Sequence, residues 1–384
     1  MKYAIVVVGY NRSTSMERLL TSLEKAIYEK SCDLIISLDY SDIQDKLIEI
    51  SDKVIWKNGK KIIRTFKEKQ GLRRHILQCG DLTNKYDAVI VLEDDLVVAE
   101  GFFQYVCEAV EFYKDDEKIA GISLYTHRTN PGNGRPFEAQ NNGKDVFLMQ
   151  YAMSWGQCWT KKMWDGFKKW YEENQEIVKD GVIPEYIANW NKQSWLKYYI
   201  RYTAEKQLYY VYPYFSLTTN SSEVGEHNNK SNSAYQVPLS FGNIKNYRFS
   251  RVQDAIKYDS YFERILDNNF SLENKKVLLD LYGLRREFFN ADILISTQKL
   301  NYKIIDELEL KYRPHEVNYF IPEKGRGIFV YDLSEEKNNI SKGNKLEIVS
   351  YDVKAESARL TLIHGLYGLK VKVLNILKKL KLKS

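Results

Sequence analysis

The stretch Asp87-Ala88-Val89-Ile90-Val91-Leu92-Glu93-Asp94-Asp95 decides how this chain is read. Five consecutive apolar residues, three of them β-branched, bounded by charges, match a strand covered on both faces. Such strands belong to parallel sheets with helices on either side. Upstream, Tyr3–Val8 is a second run of this kind, ended by Gly9, and Asp33–Leu38 is a third, ending on Asp39. Between them Met16, Leu19, Leu20 and Leu23 mark the apolar face of a helix that Ser13 or Ser15 is expected to cap. Val54–Trp56 and Lys61–Phe66 are weaker strand candidates. Residues 70–80 and 101–114 are expected to be helical, and Ile119–Leu124 to be a further strand. Strands alternating with helices over about the first 120 residues imply an α/β layer around a mostly parallel sheet.

In such sheets ligands bind beyond the carboxyl ends of the strands. Three strand ends carry polar groups: Tyr10-Asn11-Arg12, Asp39 and Glu93-Asp94-Asp95. Three adjacent acids repel one another unless they are solvated or hold a cation. Carboxylates suit hard divalent cations such as Mn2+ or Mg2+, which can bridge diphosphate oxygens. The alternative is a solvated turn after a strand.

Formal charge is +6 over 384 residues, and residues 365–384 hold six lysines and no acid. The remaining 364 residues balance, so a globally basic nucleic-acid binder is excluded. Four cysteines without a CxxC pair signal neither a zinc ribbon nor a disulfide framework and fit a reducing compartment. The N-terminal apolar run is shorter than a secretory signal requires, and no stretch reaches the roughly 18 apolar residues of a membrane span. The chain divides at 238/239, where composition shifts: residues 1–238 form the α/β domain, 239–364 a mainly helical region with short strand-like pieces at Gly327–Tyr331 and Leu346–Ser350, and 365–384 a basic amphipathic tail.

The sequence Ile5–Gly9, Tyr10-Asn11-Arg12, Ile36–Asp39 and Val89–Ala99, with Gly101-Phe102-Phe103, resembles the GT-A glycosyltransferases over roughly residues 1–230. The Glu-Asp-Asp block is similar to that of the N-acetylglucosaminyltransferase I type and of family-2-like bacterial enzymes that build surface polysaccharides such as capsule and lipopolysaccharide. The resemblance implies a GT-A, Rossmann-like fold. It implies a metal-dependent, inverting transfer from a nucleotide-diphospho-sugar, a UDP-sugar, to a glycan or lipid-linked glycan acceptor. Asp95 would hold the metal, and Glu93 and Asp94 would lie near the ribose and donor sugar. Tyr10 and Arg12 would approach the nucleotide and Asp39 the nucleobase. Arg73, in Gln70-Gly71-Leu72-Arg73, would reach base or phosphate. Trp155 and Trp159 would face the acceptor, and His227 would approach the metal or diphosphate. The segment 189–195 has Asn191 where the family places a base, so Glu185 is favoured over Asp165 and Asp180. That departure also admits a sugar-nucleotide-binding scaffold without turnover.

In the tail, Leu366, Leu369, Val373, Ile376, Leu377 and Leu380 form a helical stripe flanked by lysines. This is the pattern of a helix lying on an anionic membrane, which would place the protein at the inner face of the cell membrane, in the cytoplasm. A basic helix docked on the protein itself, a homodimer contact or a frayed end are the other readings.

Overall fold

The computed structural model describes residues 1–221, 235–242, 246–266, 275–339, 344–353 and 357–381, the last with side chains to residue 374. It divides into two compact units, Met1–Asn274 with Leu284–Asn290, and Lys275–Gly283 with Ala291–Ser384.

The first unit is a mixed α/β layer. Its chain order is β1 (Tyr3–Gly9), α1 (Ser13–Lys25), β2 (Cys32–Leu38), α2 (Gln44–Lys53), β3 (Lys61–Thr65), α3 (Leu72–Gly80) and β4 (Ala88–Glu93). Then follow β5 (Leu96–Val98), α4 (Phe102–Tyr113), β6 (Ile119–Ser123), β7 (Val146–Met149), β8 (Gln157–Thr160) and α5 (Lys161–Glu173). The unit continues through α6 (Glu185–Ala188), α7 (Leu196–Glu205), β9 (Tyr209–Pro213), β10 (Thr218–Asn220) and β11 (Lys257–Tyr258). The main sheet runs β11-β7-β9-β6-β8-β4-β1-β2-β3. The four strands β4-β1-β2-β3 are parallel, with Val8 opposite Glu93 and Gly9 opposite Leu38. β8 lies antiparallel between β4 and β6, so those two strands point the same way. Every residue of β1 is buried, as a strand covered by helices on both faces must be.

Helix α1 buries the expected Met16, Leu19, Leu20 and Leu23, but neither serine is its cap. The helix begins at Ser13, so Arg12 holds the cap position with no side-chain cap bond, and both serines fall inside the first turn. Val54–Trp56 forms no strand. Instead the carbonyl of Val54 accepts a bond from Lys61, and the Trp56 indole donates to the Cys32 carbonyl at 2.8 Å. The four cysteines are buried and unpaired.

The second unit departs further from the sequence reading. Residues expected to be mainly helical contain a four-stranded sheet, β12 (Val277–Asp280), β13 (Ile293–Ser296), β14 (Tyr302–Leu308) and β15 (Ile328–Glu336), in the order β12-β13-β15-β14. Charged residues such as Lys303 and Glu335 sit on exposed positions of this sheet and pair across it at 2.7 Å. Its charge content therefore reflects one wet face rather than helix. Residues 328–331 lie in a strand as expected. Residues 346–350 do not: they are inside helix α9 (Lys345–Val353), which follows α8 (Val317–Phe320) and buries Tyr351. Five residues are too few for alternation to tell a strand from a helix. The unit ends in α10 (Ala358–Lys381).

Candidate active site

Parallel register brings the ends of β1, β2 and β4 to one edge of the sheet. The main chain is pinned there: Asp94 donates its N–H to the Val8 carbonyl at 3.0 Å, and Asp39 donates to that of Gly9 at 2.9 Å. Asp94 and Asp95 make the turn from β4 into β5, which pairs antiparallel with β10. The Ser221 N–H, just past β10, bonds the Asp95 carbonyl at 2.7 Å. The acid is thus held between two strand pairs.

Arg12 bridges the acids. One guanidinium nitrogen bonds Asp95 Oδ2 at 2.8 Å and the other pairs with Asp94 Oδ1. The second Asp94 oxygen accepts the Tyr10 N–H at 3.3 Å. Burial works against the Arg12 charge, but Asp94 and Asp95 outweigh it and hold its pKa above the ordinary value. Burial pushes the Glu93 carboxyl up to about 8, with the Asp95 charge adding to it. Burial also raises Asp94, to about 6, although Arg12 pulls it back. Both shifts oppose full ionisation of the triplet.

One oxygen stands out. Asp95 Oδ1 is buried and has no hydrogen-bond partner. An orphaned carboxylate oxygen in a site this polar needs a cation or a donor to be tolerated. A hard divalent cation fits that chemistry, since such ions are often held by one or two carboxylates and complete their shell with phosphate and water. Ser221 Oγ is also buried and unpartnered. Among the described residues there is no cluster of three or more His, Cys, Asp or Glu that would cage a metal with protein alone. His227 lies outside the described residues.

Several expected site residues do other work. Asp39 is buried, and its carboxylate accepts three backbone amides: Tyr40 at 2.8 Å, Gln70 at 2.7 Å and Gly71 at 2.9 Å. It fixes the turn before α3, where Gly71 has φ +74°. It anchors this turn. Arg73 points to α5 and beyond, donating to Tyr171 Oη at 2.7 Å and the Lys192 carbonyl at 3.0 Å, with its guanidinium 4.4 Å from the Tyr198 ring centre. Every guanidinium nitrogen is engaged there, so Arg73 does not join the acids. Trp159 is core. It is fully buried, stacks on Tyr199 and donates its indole N–H to Tyr210 Oη at 2.7 Å. Large aromatics on a central strand of a covered sheet pack inward.

Trp155 is different. It is half-buried, just before β8. Gly156 has φ +93°, and an added Cβ would stand 2.8 Å from Thr218 Cγ2, so only glycine makes this turn. The Trp155 ring lies 4.9 Å from that of Tyr125 and 4.8 Å from that of Tyr235. Behind them is a residue not singled out from sequence. His127 is 5 % exposed, ringed by Tyr125, Tyr151, Trp155, Tyr212 and Phe262, and its Nε2 has no partner. Burial pushes its imidazole down to about 3. The available signal was a fourth polar strand end, Tyr125-Thr126-His127 after β6.

Of the candidate bases, Asp165 pairs with Lys161 at 2.7 Å, and Asp180 is held by Arg201 at 2.7 Å. Glu185 is exposed at the first position of α6. Asn191 Oδ1 accepts the Gln193 N–H at 2.9 Å and shapes a turn. A cavity of about 570 Å³ opens elsewhere, beside α4, lined by Phe103, Phe112, Tyr247 and Phe249 with Glu108 and Glu111; it does not include Glu93, Asp94 or Asp95.

No family model and no curated protein matches the sequence. Solved structures that resemble the chain include residues 1–349 of TarS from S. aureus in complex with UDP-GlcNAc. That match has 14 % identity and a TM-score of 0.38, over 59 % of this chain and 60 % of that one. Another is the mannosyltransferase PcManGT from Pyrobaculum calidifontis in complex with GDP-Man and Mn2+. Here identity is 10 % and the TM-score 0.30, over 44 % and 46 % of the two chains. The chain thus covers less than two thirds of either neighbour, and values this low assign no family and no activity.

Proposed function

We propose that this chain is a GT-A glycosyltransferase that moves a sugar from a nucleotide-diphospho-sugar, a UDP-sugar, to a glycan acceptor with inversion. The observation that carries the reading is the partnerless Asp95 Oδ1, set beside Arg12 at the carboxyl end of β4. Asp95 would hold Mn2+ or Mg2+ through that oxygen, with His227 as a second ligand. Bound there, the cation would supply neutralising charge to the departing diphosphate.

The chain's own residues do the rest. Arg12 offers a guanidinium that can turn from carboxylates to diphosphate oxygens, a planar fork suited to either. Glu93 and Asp94 stand at the same sheet edge, where carboxyl oxygens can accept from sugar or ribose hydroxyls. Asp39 keeps the Gln70–Gly71 turn in place beside Tyr10. Trp155 presents an aromatic face to a sugar ring. An acceptor oxygen attacks the anomeric carbon in line, its bond to the diphosphate oxygen breaks, and the acceptor proton passes to a carboxylate. Glu185 is assigned that role because Asp165 and Asp180 are committed to cations.

The test is a screen of UDP-sugars and other nucleotide-sugars for Mn2+-dependent nucleotide release, with Asp95→Asn beside the wild type. Release by the wild type alone supports the assignment. Equal release by Asp95→Asn refutes the role of Asp95. UDP binding without release of nucleotide from any donor favours the scaffold reading that Asn191 suggests.

A further inference from the structure

The structure carries the basic tail further than its sequence pattern did. The helix α10 begins at Ala358, two turns ahead of Leu366. Between residues 357 and 374 nothing is buried. Leu362, Leu366, Leu369 and Val373 are 64, 58, 59 and 47 % exposed. At about 100° per residue these four fall within a sector of about 60°. Leu360, Ile363, Tyr367 and Leu374 are exposed as well, in a second apolar sector that Arg359 and Lys370 separate from the first. A helix with this much bare apolar surface is out of place in water.

From residue 357 to the end the sequence holds seven cations (Arg359, Lys370, Lys372, Lys378, Lys379, Lys381 and Lys383) and no Asp or Glu. No described helix is long and apolar enough to cross a membrane. A second copy of the same helix would bring seven cations against seven, with no acid on either to relieve them.

We propose that α10 docks on an anionic lipid surface, lying in the plane of the headgroups with the Leu362–Val373 stripe inserted and Arg359, Lys370 and Lys372 beside it. The apolar stripe and the charge act together there: the first needs a phase to enter, the second a surface of opposite sign. This inference does not depend on the sugar-transfer reading, and its test has no enzymatic readout.

Full-length protein is sedimented with vesicles of phosphatidylcholine alone and of an equimolar mixture of phosphatidylcholine and phosphatidylglycerol, at low and high salt. It should bind the mixed vesicles, be released from them by salt, and leave the zwitterionic ones bare. Lys370→Glu/Lys372→Glu should weaken binding by about tenfold or more. Leu366→Glu/Leu369→Glu should abolish it, with urea midpoints unchanged because both positions are exposed. Equal binding to both vesicle types, binding to neither, or wild-type binding by these variants overturns the proposal. So does a dimer in light scattering that Leu366→Glu/Leu369→Glu dissociates, which would give the stripe to a second copy.

Discussion

Replacing His127 with phenylalanine should stabilise this protein, and more at pH 5 than at pH 7. His127 is 5 % exposed and sits among five aromatic rings, with the centroids of Phe262, Tyr125 and Tyr151 at 5.0, 5.3 and 5.4 Å. Its Nε2 has no partner, which costs about 1–3 kcal/mol in a buried site. A phenyl ring of similar shape removes that cost. The pH dependence follows from burial, which takes the imidazole from 6.5 to about 3. Between those values the unfolded chain binds a proton that the folded chain refuses. The stability held above about pH 6.5 is therefore lost as pH falls toward 3. At pH 5 the unfolded histidine lies 1.5 units below its own pKa, a loss of about 2 kcal/mol. That figure barely depends on the native value once it is well under 5. Urea unfolding of both proteins at the two pH values measures the difference. The advantage of His127→Phe should widen by about 2 kcal/mol on going from pH 7 to pH 5. A gap that stays constant, or narrows, means that the folded imidazole is charged or partnered, and the argument fails.

Two further outcomes bear on the site. Asp39→Ala removes a buried carboxylate that holds three backbone N–H groups, so it should cost about 3 kcal/mol and raise hydrogen exchange at Gln70 and Gly71; unchanged exchange there would show that the turn holds itself. Glu185→Gln should lower turnover by about 100-fold or more while leaving UDP affinity alone, as measured by single-turnover assay and calorimetry; equal turnover removes Glu185 as the base.

The strand ends show how local information and tertiary information divide. Tyr3–Val8 and Val89–Leu92 could be placed from composition alone, because a run of β-branched residues without polar interruption has few homes other than a covered parallel strand. With those strands placed, the acids after β4 had to lie at the carboxyl edge. The direction of a side chain at that edge was not legible. Arg12 and Arg73 look alike in sequence; one turns into the acids, while the other is drawn away by Tyr171, Tyr198 and the Lys192 carbonyl, which lie about 100 residues or more along the chain. Trp155 and Trp159 are four residues apart, yet one sits at the rim and the other in the core, because the turn at Gly156 comes between them. The sheet at 277–336 was hidden for a different reason. Its strands are half wet, and charge on a wet face reads the same on helix or strand.

The bare sequence therefore settled the α/β layer, the acidic end of β4 and the cationic, apolar-striped tail. Each of these is a property of adjacent or helically spaced residues. Only the folded chain decided which carboxylates are free to act. Asp39, Asp165 and Asp180 are spoken for by amides and cations brought in by the fold, while one oxygen of Asp95 is left without a partner. Whether a charged group is satisfied depends on what packs against it in space, and no local pattern records that.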